Sequence, residues 1–298
     1  MNQKRRQRTP VHGWIVLDKP VGITSTQAVG KIKHAFDAEK AGHAGTLDPL
    51  ASGILPIALG EATKTVPFVQ EGRKAYRFTI RWGAETSTDD AEGPVTQHSD
   101  LRPSMVQIEA LLPAFTGTIA QRPPAFSAIK VDGARAYDLA RSGEVVILAE
   151  RPVTIDALWL VSHDTDHATL EAECGKGTYV RAIARDLGRA LGCFGHVVQL
   201  RRTRVGPFAE AHSISLAEFI AGDPHDALQP VEAGLAEVPC INVDRTLAAR
   251  LRQGQSIIVR DRNAPVEGAA YTSCEGVPLA LGTLEMGEFV PRRILLLP

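Results

Sequence analysis

The chain has 298 residues, of which 44% are hydrophobic and 22% charged, and its formal net charge at pH 7 is −1. This length suits one large domain and a small one, and the near-neutral charge excludes a positive field over the whole molecule. No stretch is long and apolar enough to span a membrane, and no apolar segment of the signal-peptide kind follows the basic N-terminus, so we expect a cytoplasmic protein without membrane contact.

Strands and one helix are predicted in the first part of the chain. A strand over 14–17 precedes a helix that Thr24 or Ser25 caps. A continuous apolar run over 54–59 indicates a buried strand, and residues 74–82 alternate like a half-buried strand. Tyr76 lies on the apolar face of that last strand, whose opposite face is basic.

The middle of the chain combines polar loops with further strands and a helix. Residues 85–93 are acidic and predict a polar loop, and a helix is expected over about 104–115. Regular structure should end at Gln121-Arg122-Pro123-Pro124 because of the two prolines. The turn-rich segment that begins there is interpreted as a long insertion that reaches about residue 151. Strands are predicted over 153–159 and 168–174.

The most regular helix is predicted over 178–191, where apolar residues and arginines form separate stripes. Arg181, Arg185 and Arg189 recur every four residues. Such a stripe is typical of a solvated basic face. However, the preceding Gly175-Lys176-Gly177 brings positive charge to a helix end whose N–H groups favour anions. The residues alone leave both interpretations open.

The last third of the chain contains a strand over 197–204, a helix over 214–219 and a linker-like segment over 222–239. Short strands around one helix, at 247–251, follow from residue 241 onwards. The whole pattern predicts an α+β protein with a mixed, largely antiparallel sheet and flanking helices. We place the main domain at 1–239, with the insertion at about 121–151, and a small β-rich domain at 240–298.

The most informative stretch is the loop from His43 to Gly53, which holds one histidine and one carboxylate, Asp48, among glycines and a proline. Gly45 and Gly53 let the backbone approach a ligand closely, and Pro49 stiffens the turn after Asp48. The buried strand that follows anchors the loop. An aspartate held in this way is a candidate for chemistry, although an Asp-Pro turn that caps a helix is the ordinary alternative.

Motifs for other chemistry are missing from the sequence. The stretch 60–65 has glutamate where a P-loop has lysine, which argues against nucleotide hydrolysis. His163 and His167 stand four residues apart in a turn-like sequence, which favours a solvent loop over a metal site. The cysteines lie far apart and indicate reduced thiols, neither disulfides nor a zinc site. They are Cys174, Cys193, Cys240 and Cys274.

Four sequence blocks resemble those of TruB-type tRNA pseudouridine synthases and follow that family's order. The first, GWIVLDKPVGITS, begins at Gly13, and the second, GHAGTLDPLASG, begins at Gly42 and contains the aspartate. The third, QRPPAFSAIK from Gln121, resembles the start of the family's RNA-gripping insertion, with Phe126 where tyrosine is expected. The fourth, GKGTYVRAIARDLG from Gly175, resembles the motif that completes the active site. The C-terminal segment is similar, more weakly, to the family's PUA-like RNA-binding domain.

The resemblance implies that a uridine in RNA is isomerised to pseudouridine: the C1′–N1 bond breaks, the base turns, and a C1′–C5 bond forms. It makes Asp48 the catalytic carboxylate, which either attacks C1′ or removes a 2′-proton of the ribose; the sequence leaves both mechanisms open. An ionised carboxylate in a water-poor pocket needs a positive partner, and the family motif implies Arg181. No cofactor and no metal are expected, because nothing is oxidised and no group is gained.

The target base must leave its stack before it can react. The resemblance implies that Tyr76 stacks on the uracil, that His43 holds the base out, and that Tyr179 and Leu200 form the wall and floor of the pocket. Without it, Tyr76 and Leu200 would be interpreted as core residues. Phosphate contacts are expected from basic residues at Lys19, Lys64, Arg201, Arg202 and Arg204. An N-terminal basic arm suits either a polyphosphate contact or a solvated end, with Lys4, Arg5, Arg6 and Arg8.

The implied substrate is tRNA, with uridine 55 of the T stem-loop as the target and the folded loop recognised by its shape. We expect a monomer with no obligate protein partner, and an accompanying tRNA-folding (chaperone) activity is compatible with it. Two alternatives are a dyskerin-type subunit that works with a guide RNA and partner proteins, and a non-catalytic RNA-binding or RNA-folding protein. The insertion favours the stand-alone enzyme over the first, and the set Asp48, Tyr76 and Arg181 argues against the second.

Overall fold

The computed structural model describes residues 9–127, 129–131, 134–137, 148–259 and 267–297. The chain divides into two compact units. The first contains the described residues of 1–49, 53–72 and 204–298, and the second contains those of 50–52 and 73–203. No helix in the described ranges is long and apolar enough to cross a membrane.

Strands make up most of the regular structure. In chain order they are β1 (Gly13–Lys19), β2 (Ala41–His43), β3 (Ala51–Leu59), β4 (Lys74–Trp82), β5 (Ala84–Thr86), β6 (Val95–His98), β7 (Gly117–Gln121), β8 (Lys130–Val131), β9 (Ala134–Arg135), β10 (Arg151–His163), β11 (His167–Cys174), β12 (Gly195–Val205), β13 (Phe208–Ala209), β14 (Ile214–Ser215), β15 (Cys240–Asn242), β16 (Ile257–Ile258), β17 (Gly268–Cys274), β18 (Val277–Glu285) and β19 (Glu288–Ile294).

The helices are short. The α-helices that lie wholly within the described ranges are α1 (Ser25–Ala35), α2 (Val66–Glu71), α3 (Met105–Leu111), α4 (Val180–Ala190), α5 (Leu216–Ala221) and α6 (Arg245–Arg252). Single 3₁₀ turns lie at Gly60–Lys64, Leu112–Phe115, Glu210–His212, Pro224–Ala227 and Val231–Leu235.

The first unit is organised around β1 and β3, which pair antiparallel from Gly13 opposite Leu59 to Lys19 opposite Gly53. β14 adds to β1 in parallel, and β2 adds to β3 antiparallel. Both central strands are buried along most of their length, as their continuous apolar runs predict. The predicted cap of α1 is confirmed, because the Thr24 hydroxyl accepts the Gln27 N–H in a capping box.

The core of this unit contradicts two sequence predictions. Residues 222–239 are not a linker, because Val231 and Leu235 are buried in the cluster that contains Trp14. The helix expected over 214–219 begins only at Leu216, since residues 214 and 215 pair with β1 as β14. The buried 3₁₀ turn at Val231–Leu235 and strand β14 are each too short for a hydrophobic period to show in the sequence.

The β-rich C-terminal segment is confirmed. Its sheet has the strand order β15-β17-β18-β19-β16, with α6 packed on it. Its own core includes Leu251, Ala280 and Phe289. Leu281 and Leu295 belong instead to the Trp14 cluster, so this sheet packs on the rest of the first unit.

The second unit is a sheet with the strand order β12-β4-β11-β10-β7, in which β11 pairs antiparallel with both β4 and β10. The alternation predicted over 74–82 is confirmed, because Phe78, Ile80 and Trp82 are buried and Arg77 and Arg81 exposed. Helix α4 packs against β4. This sheet and the helix carry most of the side chains that the sequence singles out. The insertion expected at 121–151 lies partly outside the described residues.

Candidate active site

The loop around Asp48 is held on both sides of the carboxylate. The Ser25 hydroxyl accepts the Leu47 N–H at 2.8 Å and donates to the Leu47 carbonyl at 3.0 Å. The Pro49 carbonyl accepts the Gly22 N–H at 2.8 Å. Asp48 itself is half-buried, so the carboxylate stands on a fixed backbone.

The glycines of this loop are needed for its backbone path. Gly45 has φ +114° and Gly53 has φ +102°, values that L side chains rarely adopt. His43, the last residue of β2, pairs with Ile57 in β3 and is also half-buried. Its carbonyl accepts the amide of Gln70 at 3.4 Å. The first unit therefore carries His43 and Asp48 on one strand and the loop that follows it.

Tyr76 and Leu200 lie on neighbouring strands of the second unit. Tyr76 is in β4, opposite Ala172 of β11, and is half-buried. Leu200 is in β12 and is buried, with 9% of its surface exposed. The alternation of β4 brings Tyr76 to the same face as Phe78. Tyr76 is thus the more accessible member of an otherwise buried face, which suits a ring that stacks on a base.

Tyr179 and Arg181 stand at the start of α4. The Tyr179 N–H donates to the Gln121 side-chain oxygen at 2.8 Å, and the Gln121 amide donates to the Tyr179 carbonyl at 3.1 Å. This pair of bonds takes the place of a side-chain cap and fixes the first turn of the helix.

Arg181 is buried and multiply bonded. Its Nη1 donates to the Thr88 carbonyl at 2.9 Å and to Asp90 Oδ2 at 3.1 Å, and its Nη2 donates to the Phe126 carbonyl at 2.9 Å. The side chains of Arg181 and Asp90 are 7% and 3% exposed. A buried guanidinium with a carboxylate and two carbonyls as partners is fixed in direction, as a group that positions a charge must be.

The other two arginines of α4 also pair with acidic residues. The solvated basic face is wrong for Arg181 and Arg185, which are buried, whereas Arg189 is exposed. Arg185 Nη1 pairs with Asp89 at 2.9 Å, and Arg189 holds Glu85 through two bonds of 2.6 and 2.7 Å. Glu85, Asp89 and Asp90 are accordingly buried, whereas Glu92 of the same predicted loop is exposed. Sequence reasoning missed them because an acidic stretch between strands ordinarily faces water.

Burial is the largest single influence on the pKa values of Asp89 and Arg185 in this cluster. It raises the pKa of Asp89 to about 6, although the guanidinium groups of Arg185 and Arg181 oppose the shift. Burial alone would lower the pKa of Arg185, but its hydrogen bond to Asp186 and the charge of Asp89 outweigh it and hold that pKa above the ordinary value. Within the described ranges, no group of three or more His, Cys, Asp or Glu side chains is placed to hold a metal ion.

Each unit therefore carries part of the predicted set. The first contains His43 and Asp48, and the second contains Tyr76, Tyr179, Arg181 and Leu200. Asp90 and Asp89 are added by the structure. The signal that could have found them is the i, i+4 spacing of the arginines, which requires carboxylates wherever that face is buried.

Comparison with known proteins gives consistent matches along the chain. One family model, described as TruB family pseudouridylate synthase (N terminal domain), matches residues 33–180, and a second, tRNA pseudouridylate synthase B C-terminal domain, matches residues 181–236. The tRNA pseudouridine synthase B of Bradyrhizobium diazoefficiens is 58% identical over 98% of this chain and 88% of that protein. The protein of the same name from Nitrobacter winogradskyi is 57% identical over 98% of this chain and 85% of its own length.

Solved structures agree with this fold. A chain of a Cbf5–Nop10–Gar1 complex matches with a TM-score of 0.73 and 25% identity, over 95% of this chain and 85% of that one. A chain of an H/ACA RNP bound to a substrate RNA containing 2′-deoxyuridine has a TM-score of 0.75 at 24% identity, with 96% and 85% covered. These matches confirm the predicted α+β architecture.

The mixed sheet, the fixed aspartate loop and the matching family models define the class of protein as a pseudouridine synthase. More than half of the residues are shared with proteins of one family over nearly the whole chain. The chain belongs to the TruB family of pseudouridylate synthases.

Proposed function

We propose that this enzyme converts uridine 55 in the T stem-loop of tRNA to pseudouridine, with Asp48 as the catalytic carboxylate. The observation that carries the proposal is the loop in which Leu47 and Pro49, on either side of Asp48, are both hydrogen-bonded through their backbones. The relatives named tRNA pseudouridine synthase B support tRNA as the substrate class.

The reaction is an isomerisation, so its atoms balance within the substrate. The C1′–N1 bond breaks, the uracil turns, the C1′–C5 bond forms, and the proton displaced from C5 is balanced by one gained at N1. Asp48, ionised, either forms a bond to C1′ or removes the ribose 2′-proton. A fixed backbone on both sides keeps the carboxylate in its reactive position without a loss of entropy at the reaction step.

Arg181 is proposed as the positive partner of Asp48. Its guanidinium is held by Asp90 and by the Thr88 and Phe126 carbonyls, so its direction is determined before substrate binds. A preorganised charge costs no reorganisation in the transition state. The Asp48–Arg181 pairing follows from the family motif and is a proposal for this chain.

The remaining predicted residues are proposed to hold the flipped base. Tyr76, half-buried on β4, stacks on the uracil, and Tyr179 and Leu200 form the wall and floor of the pocket. His43 contacts the displaced RNA and helps to hold the base out. The aromatic ring of Tyr76 is suited to this role because stacking on a base is favourable for any nucleobase face.

We propose that the enzyme acts alone, as a cytoplasmic monomer without an obligate protein partner. The relatives carry the name tRNA pseudouridine synthase B, which mentions no partner protein, and this supports an enzyme that acts alone. One of the similar solved structures is a complex of Cbf5 with Nop10 and Gar1, so a guide-dependent assembly is the competing proposal. A tRNA-folding activity is proposed to accompany catalysis, because the flipping of a base requires the enzyme to loosen the folded T loop.

The experiment is a tritium-release assay with purified enzyme alone and an unmodified tRNA transcript labelled at C5 of uridine. Formation of the C1′–C5 bond releases the label, so we expect about one equivalent per tRNA, and no release from a matched transcript with cytidine at position 55. Release that persists with the cytidine transcript would refute the choice of uridine 55. Release that requires added guide RNA or protein partners would favour the guide-dependent assembly.

A further inference from the structure

The arginines of α4 do not all make the same contacts. Arg181, Arg185 and Arg189 each pair with an acidic residue of the 85–90 segment. Arg181 and Arg185 each use Nη2 to bind a backbone carbonyl of a second segment, and Arg185 Nη2 also donates to Asp186, whereas Arg189 directs both Nε and Nη2 at Glu85. This difference separates the first two arginines from the third.

The second segment is Gln121–Ser127, which we call the root segment because it begins the insertion. Arg185 Nη2 donates to the Arg122 carbonyl at 2.8 Å, and Arg181 Nη2 donates to the Phe126 carbonyl at 2.9 Å. Between these two points lie Pro123 and Pro124, both buried. Prolines have no N–H to donate, so this stretch cannot continue the ladder of β7 and depends on side chains for its path.

Arg185 is itself held between two carboxylates. Its Nη1 pairs with Asp89 at 2.9 Å and its Nε with Asp186 at 2.8 Å, and its side chain is only 8% exposed. A planar guanidinium can satisfy three acceptors in fixed directions, which the single ammonium of a lysine cannot reproduce. The guanidinium therefore links the Arg122 carbonyl to α4 and to the 85–90 segment. The position of that carbonyl depends on both.

We propose that Arg185, held by Asp89, is a positioning residue for tRNA binding that sets the path of the root segment. This inference rests on the proposed function and on the family resemblance, which implies that the block beginning at Gln121 starts an RNA-gripping insertion. Arg185 touches neither the base nor Asp48 in this role. Its loss therefore weakens binding of the T stem-loop and leaves the chemical step on bound tRNA intact.

The test compares Arg185→Lys with Arg189→Lys, a matched control on the same helix face whose guanidinium hydrogen-bonds Glu85. Both variants keep the charge. For each, filter binding gives the Kd for an unmodified tRNA transcript. Tritium release with enzyme in excess and above that Kd gives the rate constant of the chemical step, and thermal unfolding reports the fold.

We expect the Kd of Arg185→Lys to rise about tenfold, the size of one lost charge-assisted hydrogen bond, with the saturating rate constant within about twofold of wild type. Arg189→Lys should keep both values within about twofold. An unchanged Kd for Arg185→Lys, an equal loss of affinity in both variants, or a fall in the rate constant without a change in Kd would each overturn the proposal.

A second pair of variants covers the case in which Arg185→Lys does not fold. Asp89→Asn loosens Arg185 without removing it, and Glu85→Gln is its control at Arg189. The same asymmetry in Kd is expected, and its absence overturns the proposal. Failure of the wild-type enzyme to make pseudouridine would refute the proposed function instead, and the Kd comparison would still decide the role of Arg185.

Discussion

Neutralising Asp90 should cost both stability and rate. Asp90 Oδ2 accepts Arg181 Nη1 at 3.1 Å, and Oδ1 accepts the Glu92 N–H at 3.0 Å. In Asp90→Asn one of these positions becomes an NH₂ group that faces a donor. At 3.1 Å and an effective dielectric constant of about 20, the lost attraction is about 5 kcal/mol. Because asparagine keeps the volume and one acceptor, we expect a net loss of about 3 kcal/mol in the free energy of unfolding.

The effect on rate follows from the freedom that Arg181 gains. If this guanidinium positions Asp48, the chemical step should slow by about 100-fold, because a small displacement of a reacting group reduces the rate by about that factor. Urea unfolding and single-turnover tritium release measure the two quantities. The control is Asp166→Asn, whose partner Arg102 lies at 2.7 Å in a pair that is 31% and 53% exposed, and which should cost less than about 1 kcal/mol. Equal stability losses in both variants, or a full rate in Asp90→Asn, would refute this reasoning.

Three further predictions concern caps and pH. Thr24→Ala removes the hydroxyl that accepts the Gln27 N–H and should lower the free energy of unfolding by about 1 kcal/mol in urea, whereas Thr24→Ser should not. Burial raises the pKa of Glu61, but the Leu296 N–H, at 2.7 Å, helps to hold it below the ordinary 4.5. Glu61 therefore stabilises the fold above pH 4.5 and loses this effect as pH falls, so Glu61→Gln should flatten the acid loss of stability. The pKa of Asp89 is instead raised by burial from 3.8 to about 6, so its contribution is greatest below pH 3.8 and is lost as pH rises through 6. Asp89→Asn should therefore remove the loss of stability as pH rises through 6. For Glu61→Gln and for Asp89→Asn alike, a pH profile of the unfolding free energy that is the same as in the wild type would contradict the prediction.

The strands and the aspartate loop could be predicted because their signals are local. Residues 74–82 alternate strictly, and residues 54–59 are continuously apolar, so each pattern specifies its own burial. Gly45 and Gly53 mark a backbone that only glycine adopts easily, and both have positive φ. Local signals of this kind need no knowledge of what packs on them.

The acidic cluster could not be predicted because its burial depends on residues far away in sequence. Asp89 and Asp90 resemble solvated loop residues until α4, about ninety residues later, brings arginines to them. The same holds for Val231 and Leu235. They lie among prolines and small residues in the sequence, and they are buried because they pack in the cluster that contains Trp14. Burial of this kind is a tertiary property, and for the two aspartates the residue type alone indicates exposure.

The central claim is that Asp48 performs the chemistry, and the most direct test is Asp48→Asn on an unmodified tRNA transcript, with binding measured alongside. Asp244→Asn is the matched control, because asparagine serves equally well at this helix N-cap. We expect Asp48→Asn to bind tRNA with a Kd close to wild type and to release no tritium in single turnover, while Asp244→Asn remains fully active. Tritium release by Asp48→Asn at a rate near that of the wild type would contradict the account.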